Sequence, residues 1–181
     1  MTRLFGLVLA GGASSRMQAD KAALTYGARP QLAVAFDLLA PRVEGAYVSA
    51  RPDQADDPLR ERYPLIIDGE AGRGPIAGII AAQARHPEAA WLVIACDLPL
   101  LDDATLVELI ARRDPCRLAT AFRSATDGLP EPLCAIYEPA SRAAILAHVA
   151  AGRDCPRKFL MAHDALLIEP RISAALDNAN T

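Results

Sequence analysis

The chain has 181 residues, 52% of them hydrophobic, and a formal net charge of −3, enough material for one well-buried core and too little for two domains. Its 19 Lys and Arg are dispersed among 22 Asp and Glu, so no basic face for a nucleic-acid backbone is expected, and no apolar run approaches the roughly 18 residues of a membrane span. The four cysteines, Cys96, Cys116, Cys134 and Cys155, form no C-x-x-C pair and read as reduced thiols of a cytoplasmic protein.

The first element is the apolar run Leu4-Phe5-Gly6-Leu7-Val8-Leu9-Ala10, which begins almost at Met1 in place of a signal peptide. It breaks into Gly11-Gly12-Ala13-Ser14-Ser15-Arg16-Met17, with Asp20-Lys21 close behind. This reads as a buried strand feeding an anion-binding loop. Adjacent glycines free backbone N–H groups to turn toward an anion, Ser14 and Ser15 add hydroxyl donors, and Arg16 and Lys21 add charge. The spacing is neither the G-x-x-x-x-G-K-[ST] of a P-loop nor the G-x-G-x-x-G of a dinucleotide turn.

Helical period follows at 31–39, and strands are expected at 46–49 and 64–67. A helix at 75–85 enters tightly through Gly74-Pro75, and Gly78 leaves room for a close neighbour. The strand at 91–95 ends in Cys96-Asp97-Leu98-Pro99, and Asp102 or Asp103 caps a helix at 104–112. After a strand at 118–122, Asp127-Gly128 makes a turn into a strand at 133–137 that breaks the alternation and is expected to run antiparallel. Pro139 opens and Gly152 closes a helix at 140–151. Cys155-Pro156-Arg157-Lys158 starts another, with Asp154 as its cap, before a last strand at 165–168. Strands alternating with helices predict a single α/β domain over 1–181, a three-layer Rossmann-like fold whose mainly parallel sheet carries helices on both faces.

Parallel sheets bind ligands beyond the carboxyl ends of their strands. Asp97 sits at such an end, poised either to hold Mg²⁺ or to cap the following turn. Asp68, before Gly69, is another strand-end acid, either a ligand contact or part of a structural turn. Asn178-Ala179-Asn180-Thr181 is by itself only a tail. His86, His148 and His163 have no acidic partner nearby in sequence and read as packing or surface residues.

Together, Leu9-Ala10-Gly11-Gly12-x-Ser14-x-Arg16-Met17 with Asp20-Lys21, then Asp68, Gly74-Pro75-x-Ala77-Gly78, Cys96-Asp97-x-Pro99 and Asn178-x-Asn180-Thr181 resemble the molybdenum cofactor guanylyltransferases in that order. The first motif is shared with other nucleotidyltransferases. The resemblance implies a nucleotidyltransferase fold in which Leu9, Ala10, Gly11, Gly12 and Ser14 hold the nucleotide. It places Arg16 and Lys21 on the phosphates, Asp68 on the nucleotide, and Asp97 with Asn180 on Mg²⁺. Ser49 stands where the family commonly has a nucleotide-contacting Asn, and Gln18 where it usually has Gly.

The implied reaction passes GMP from GTP to the phosphate of a phosphorylated pterin, with contacts to other molybdenum cofactor enzymes and none to nucleic acid or membrane. Pro130-Glu131-Pro132-Leu133 and Arg157-Lys158 are expected on the acceptor side, with Arg157 and Lys158 either binding the acceptor's phosphate or forming a solvated turn. Rival readings are a cytidylyl- or other nucleotidyltransferase acting on a pterin, sugar phosphate or polyol phosphate, and a nucleotide-binding delivery protein without catalysis.

Overall fold

The computed structural model describes residues 2–10, 21–23, 29–69, 73–171 and 173–176. Seven strands form one sheet: β1 (Leu4–Leu9), β2 (Ala46–Ala50), β3 (Leu65–Ile67), β4 (Ala90–Ala95), β5 (Ala119–Arg123), β6 (Pro130–Tyr137) and β7 (Ala165–Ile168). Among the described residues five α-helices lie between them: α1 (Gln31–Leu39), α2 (Pro75–Arg85), α3 (Asp103–Ala111), α4 (Ser141–Ala150) and α5 (Pro156–Ala162). The sheet order is β3-β2-β1-β4-β6-β5-β7. All neighbouring pairs are parallel except those of β6, which runs antiparallel to both β4 and β5.

Alternation along the strands splits the core in two. Val8, Leu92 and Ile94 face Leu32 and Leu39 of α1 and Leu106 and Leu109 of α3. Leu7, Trp91 and Val93 face Ile76 and Ile79 of α2, Ile145 of α4 and Phe159 of α5. The expected three layers follow from this two-sided burial. Every residue of β4 is buried, which explains why that strand is an unbroken apolar run.

Three local details differ from the sequence reading. β6 begins three residues earlier than expected, at Pro130, although prolines are poor ladder members. The β4 ladder covers only Cys134 to Tyr137, so Pro130 and Pro132 lie where β6 overhangs it. At α5 the cap position is Cys155 with no side-chain bond, and Asp154 instead pairs with Arg73. Pro139 does not begin α4; it lies in the turn before it, where Ser141 N–H donates to the Glu138 carbonyl. At α3, Asp102 is the cap, accepting from the Thr105 N–H at 2.9 Å and hydroxyl at 2.7 Å, which holds its carboxyl below the ordinary range.

Candidate active site

The chain turns from one side of β1 to the other after β3, so the switch point of the sheet lies between β1 and β4. Leu9 pairs with Ser49 on one side and Ala95 on the other. Beyond them, Ala10 N–H donates to the Ser49 carbonyl and Cys96 N–H to the Leu9 carbonyl, both at 3.3 Å. Leu9, Ala10, Ser49 and the β4 end leading to Asp97 are thus brought to one place. Gly11, Gly12, Ser14 and Arg16 lie outside the described residues, as do Gln18, Asn180 and the side chain of Lys21.

The floor of this place is closely packed. Ser49 is 1% exposed, and a Cβ built on Gly78 of α2 would lie 2.5 Å from the Ser49 Oγ and 2.8 Å from the Leu9 Cδ2. Gly78 is therefore the close-approach residue that its position suggested, and Ser49 presents its side chain to α2.

Arg60 is a residue that sequence reasoning missed. Its side chain is fully buried, and Nη2 donates to the Ala10 carbonyl at 2.6 Å while Nη1 pairs with Asp57. A cation thus grips the carbonyl of the residue that precedes Gly11-Gly12 in the chain. The only local sign was an Asp three residues earlier, and that spacing suits an exposed ion pair equally well.

Asp68 continues from β3, its N–H donating to the Ala50 carbonyl at 2.9 Å. The residue is 7% exposed, and Oδ1 has no hydrogen-bond partner among the described residues. Burial pushes this carboxyl above the ordinary range, with Arg51 pulling the other way. Arg51 itself makes two 2.9 Å hydrogen bonds to Asp53.

Across β4, Asp97 lines a cavity of about 280 Å³ together with Leu98, Ser124, Asp127, Glu131 and Arg157. Gly128, at φ 70°, supplies the left-handed residue of the turn that forms one rim. Arg157 donates to Asp127 at 3.1 Å and to Glu131 at 3.2 Å. Burial raises the Glu131 carboxyl, opposed by Arg157 and the Ser124 hydroxyl. At Asp127 the Leu129 N–H dominates and lowers the carboxyl. Arg157, expected on the acceptor's phosphate, is already shared between two acids, and Lys158 is exposed. The sequence showed Asp127 only as a turn residue and gave no sign of Ser124.

Among the described residues no three His, Cys, Asp or Glu side chains gather into a metal-binding group. A strand-end carboxylate beside a cavity is still a donor suited to Mg²⁺, which takes few protein ligands and fills the rest from water and phosphate. None of the four cysteines is in a disulfide. The histidines pack as expected: His86 stacks on Phe5 at 4.4 Å, His148 is buried against Phe159, and His163 stacks on Phe159 at 4.4 Å. Among the described residues no helix is long and apolar enough to cross a membrane.

Comparison with known proteins agrees with this geometry. The "Molybdenum cofactor biosynthesis bifunctional protein" of Synechocystis sp. is 37% identical over 180 residues, 99% of this chain, which spans only 52% of that relative. A "Molybdenum cofactor guanylyltransferase" of Cereibacter sphaeroides is 31% identical over 174 residues, 90% of this chain and 83% of its own. In fold, the crystal structure of "Molybdopterin-guanine dinucleotide biosynthesis protein A" from Archaeoglobus fulgidus has a TM-score of 0.73 at 22% identity, covering 91% of this chain and 83% of that one. The pattern of the MobA-like NTP transferase domain matches residues 6–166, from within β1 to within β7. That span takes in the switch point, Asp68, Asp97 and every lining residue of the cavity but Leu176, and it makes the chain a member of the MobA-like NTP transferase domain family and an enzyme of the nucleotidyltransferase type.

Proposed function

We propose that the chain transfers GMP from GTP to the phosphate of molybdopterin, a reading supported by relatives named molybdenum cofactor guanylyltransferase. The observation that carries this reading is the convergence of the β1 end, leading into Gly11-Gly12, with Asp97 at the switch point, beside a cavity able to take an acceptor. An oxygen of the acceptor phosphate attacks the α-phosphorus of GTP in line. One P–O bond forms, the bond to the bridging α,β-oxygen breaks, and pyrophosphate leaves. The attacking group is already an anion, so no side-chain nucleophile is required; the barrier lies in positioning and in stabilising charge.

In this reading Leu9 and Ala10 seat the nucleotide with Gly11, Gly12 and Ser14. Arg16 and Lys21 neutralise its phosphates. Arg60 holds the Ala10 carbonyl in place, and Asp68 contacts the nucleotide through Oδ1, which has no hydrogen-bond partner among the described residues. Asp97, with Asn180, would hold Mg²⁺, whose charge when bound offsets that of the phosphate oxygens. The reaction is placed in the cytoplasm, with GTP and the pterin as partners and hand-over of product to other molybdenum cofactor enzymes. The test is to incubate the protein with Mg²⁺, molybdopterin and each NTP in turn and measure pyrophosphate. Release with GTP is expected. Release only with CTP, or tight GTP binding with no release, would replace this reading by one of its rivals.

A further inference from the structure

The cavity beyond Asp97 has a charge pattern that says which end of an acceptor it takes. β4 and β6 pair antiparallel with Ile94 opposite Cys134. Beyond that last pair β4 ends at Ala95 while β6 reaches back to Pro130, and Asp97, just after β4, and Glu131, on the overhang of β6, both line the cavity. Its described lining holds three carboxylates, Asp97, Asp127 and Glu131, against the one guanidinium of Arg157, which bridges two of them. A phosphate placed beside Glu131 would meet acids and a cation already neutralised, an arrangement that repels anions. A neutral ring with N–H donors meets the opposite situation. A carboxylate offers about four lone-pair sites, and Arg157 and the Ser124 hydroxyl together take two of those on Glu131, leaving two. Leu98, Pro132 and Leu133 supply apolar walls for the ring faces.

We infer that Glu131 is a specificity-determining residue that accepts hydrogen bonds from the adjacent ring N–H and amino group of a 2-amino-4-oxopyrimidine ring, with Arg157 holding its carboxylate in place. The phosphate of the same acceptor then lies toward Asp97, away from Arg157. The inference rests on the guanylyl-transfer reading for the acceptor's identity. The same donor edge occurs in guanine and in a pterin, and the assignment here is to the pterin, because the cavity lies on the far side of Asp97 from the β1–β2 pair.

The test uses the full chain and 6-hydroxymethylpterin, a fluorescent, phosphate-free pterin, alongside steady-state measurement of pyrophosphate release from GTP and molybdopterin. Loss of a charged hydrogen-bond acceptor predicts that Glu131→Gln weakens pterin binding by about tenfold or more, while KM for GTP stays within about twofold. Should that variant fail to fold, Glu131→Asp, which keeps the charge but withdraws it by one methylene, must also weaken pterin binding. Unchanged pterin binding in both variants overturns the inference. So does a rise in KM for GTP without a change for the pterin, and so does failure of the parent protein to bind the phosphate-free ring. If the parent binds the ring in a Glu131-dependent way but releases no pyrophosphate, the ring assignment is supported and the transfer reading falls instead.

Discussion

Gly78→Ala adds one methyl group to a buried position of α2. A Cβ there lies 2.5 Å from the Ser49 Oγ, 2.8 Å from the Leu9 Cδ2 and 3.2 Å from the Ser49 Cβ. Helix propensity alone favours the change by about 1 kcal/mol. Against it stands overpacking, which typically costs about 1–3 kcal/mol. The upper part of that range applies here, because Ser49 is 1% exposed and both neighbours sit on paired strands. The net expectation is a loss of about 1–2 kcal/mol. Urea unfolding followed through the fluorescence of the single, fully buried Trp91 measures it. Adding Ser49→Gly removes two of the three contacts and should recover about half of the overpacking cost. Leu9 and Ser49 form the floor beneath the proposed nucleotide, so KM for GTP should rise together with the loss of stability. A Gly78→Ala variant that is more stable than the parent by the full propensity gain would refute the close approach of α2 to the strand ends.

Asp97→Asn should lower kcat by about two to three orders of magnitude, the scale of one lost preorganised electrostatic contact, with an unchanged melting temperature; a large drop in melting would assign Asp97 to the fold instead. Asp68→Asn should be more stable than the parent at neutral pH and less active. The Asp68 carboxyl is raised by burial, so its favourable contribution is fully present below the ordinary carboxylate range and is lost as pH rises through its folded value. The advantage of Asn therefore vanishes in acid, and equal stability of the two proteins at pH 7 would contradict it. Glu138→Ala strands Arg113, whose side chain is 9% exposed and donates to both Glu138 oxygens at 2.6 and 2.7 Å; the cost should be about 3–5 kcal/mol in chemical unfolding, and a loss below 1 kcal/mol would show that water reaches the pair.

Much of this protein is legible in one dimension because its signals are local. α1 and α2 span Gln31–Leu39 and Pro75–Arg85 as their period predicts, since the same side chains that give the pattern make the buried face. The all-apolar run of β4 announces burial on both faces, and the same run puts Asp97, two residues past its end, at the carboxyl edge of the sheet, where open α/β sheets receive ligands. Even the reversed direction of β6 was signalled by the turn at Asp127-Gly128. What sequence could not decide is which distant residues share a place. Arg60 grips the Ala10 carbonyl from 50 positions away, and Gly78 meets Ser49 only because α2 lies across the ends of β1 and β2. Arg157 read equally well as a phosphate contact or as part of a solvated turn, and only the fold sets Asp127 and Glu131 on either side of it. Periodicity and strand ends arise from neighbours along the chain, whereas charge pairing and close packing depend on strand order and register, which only the folded sheet supplies.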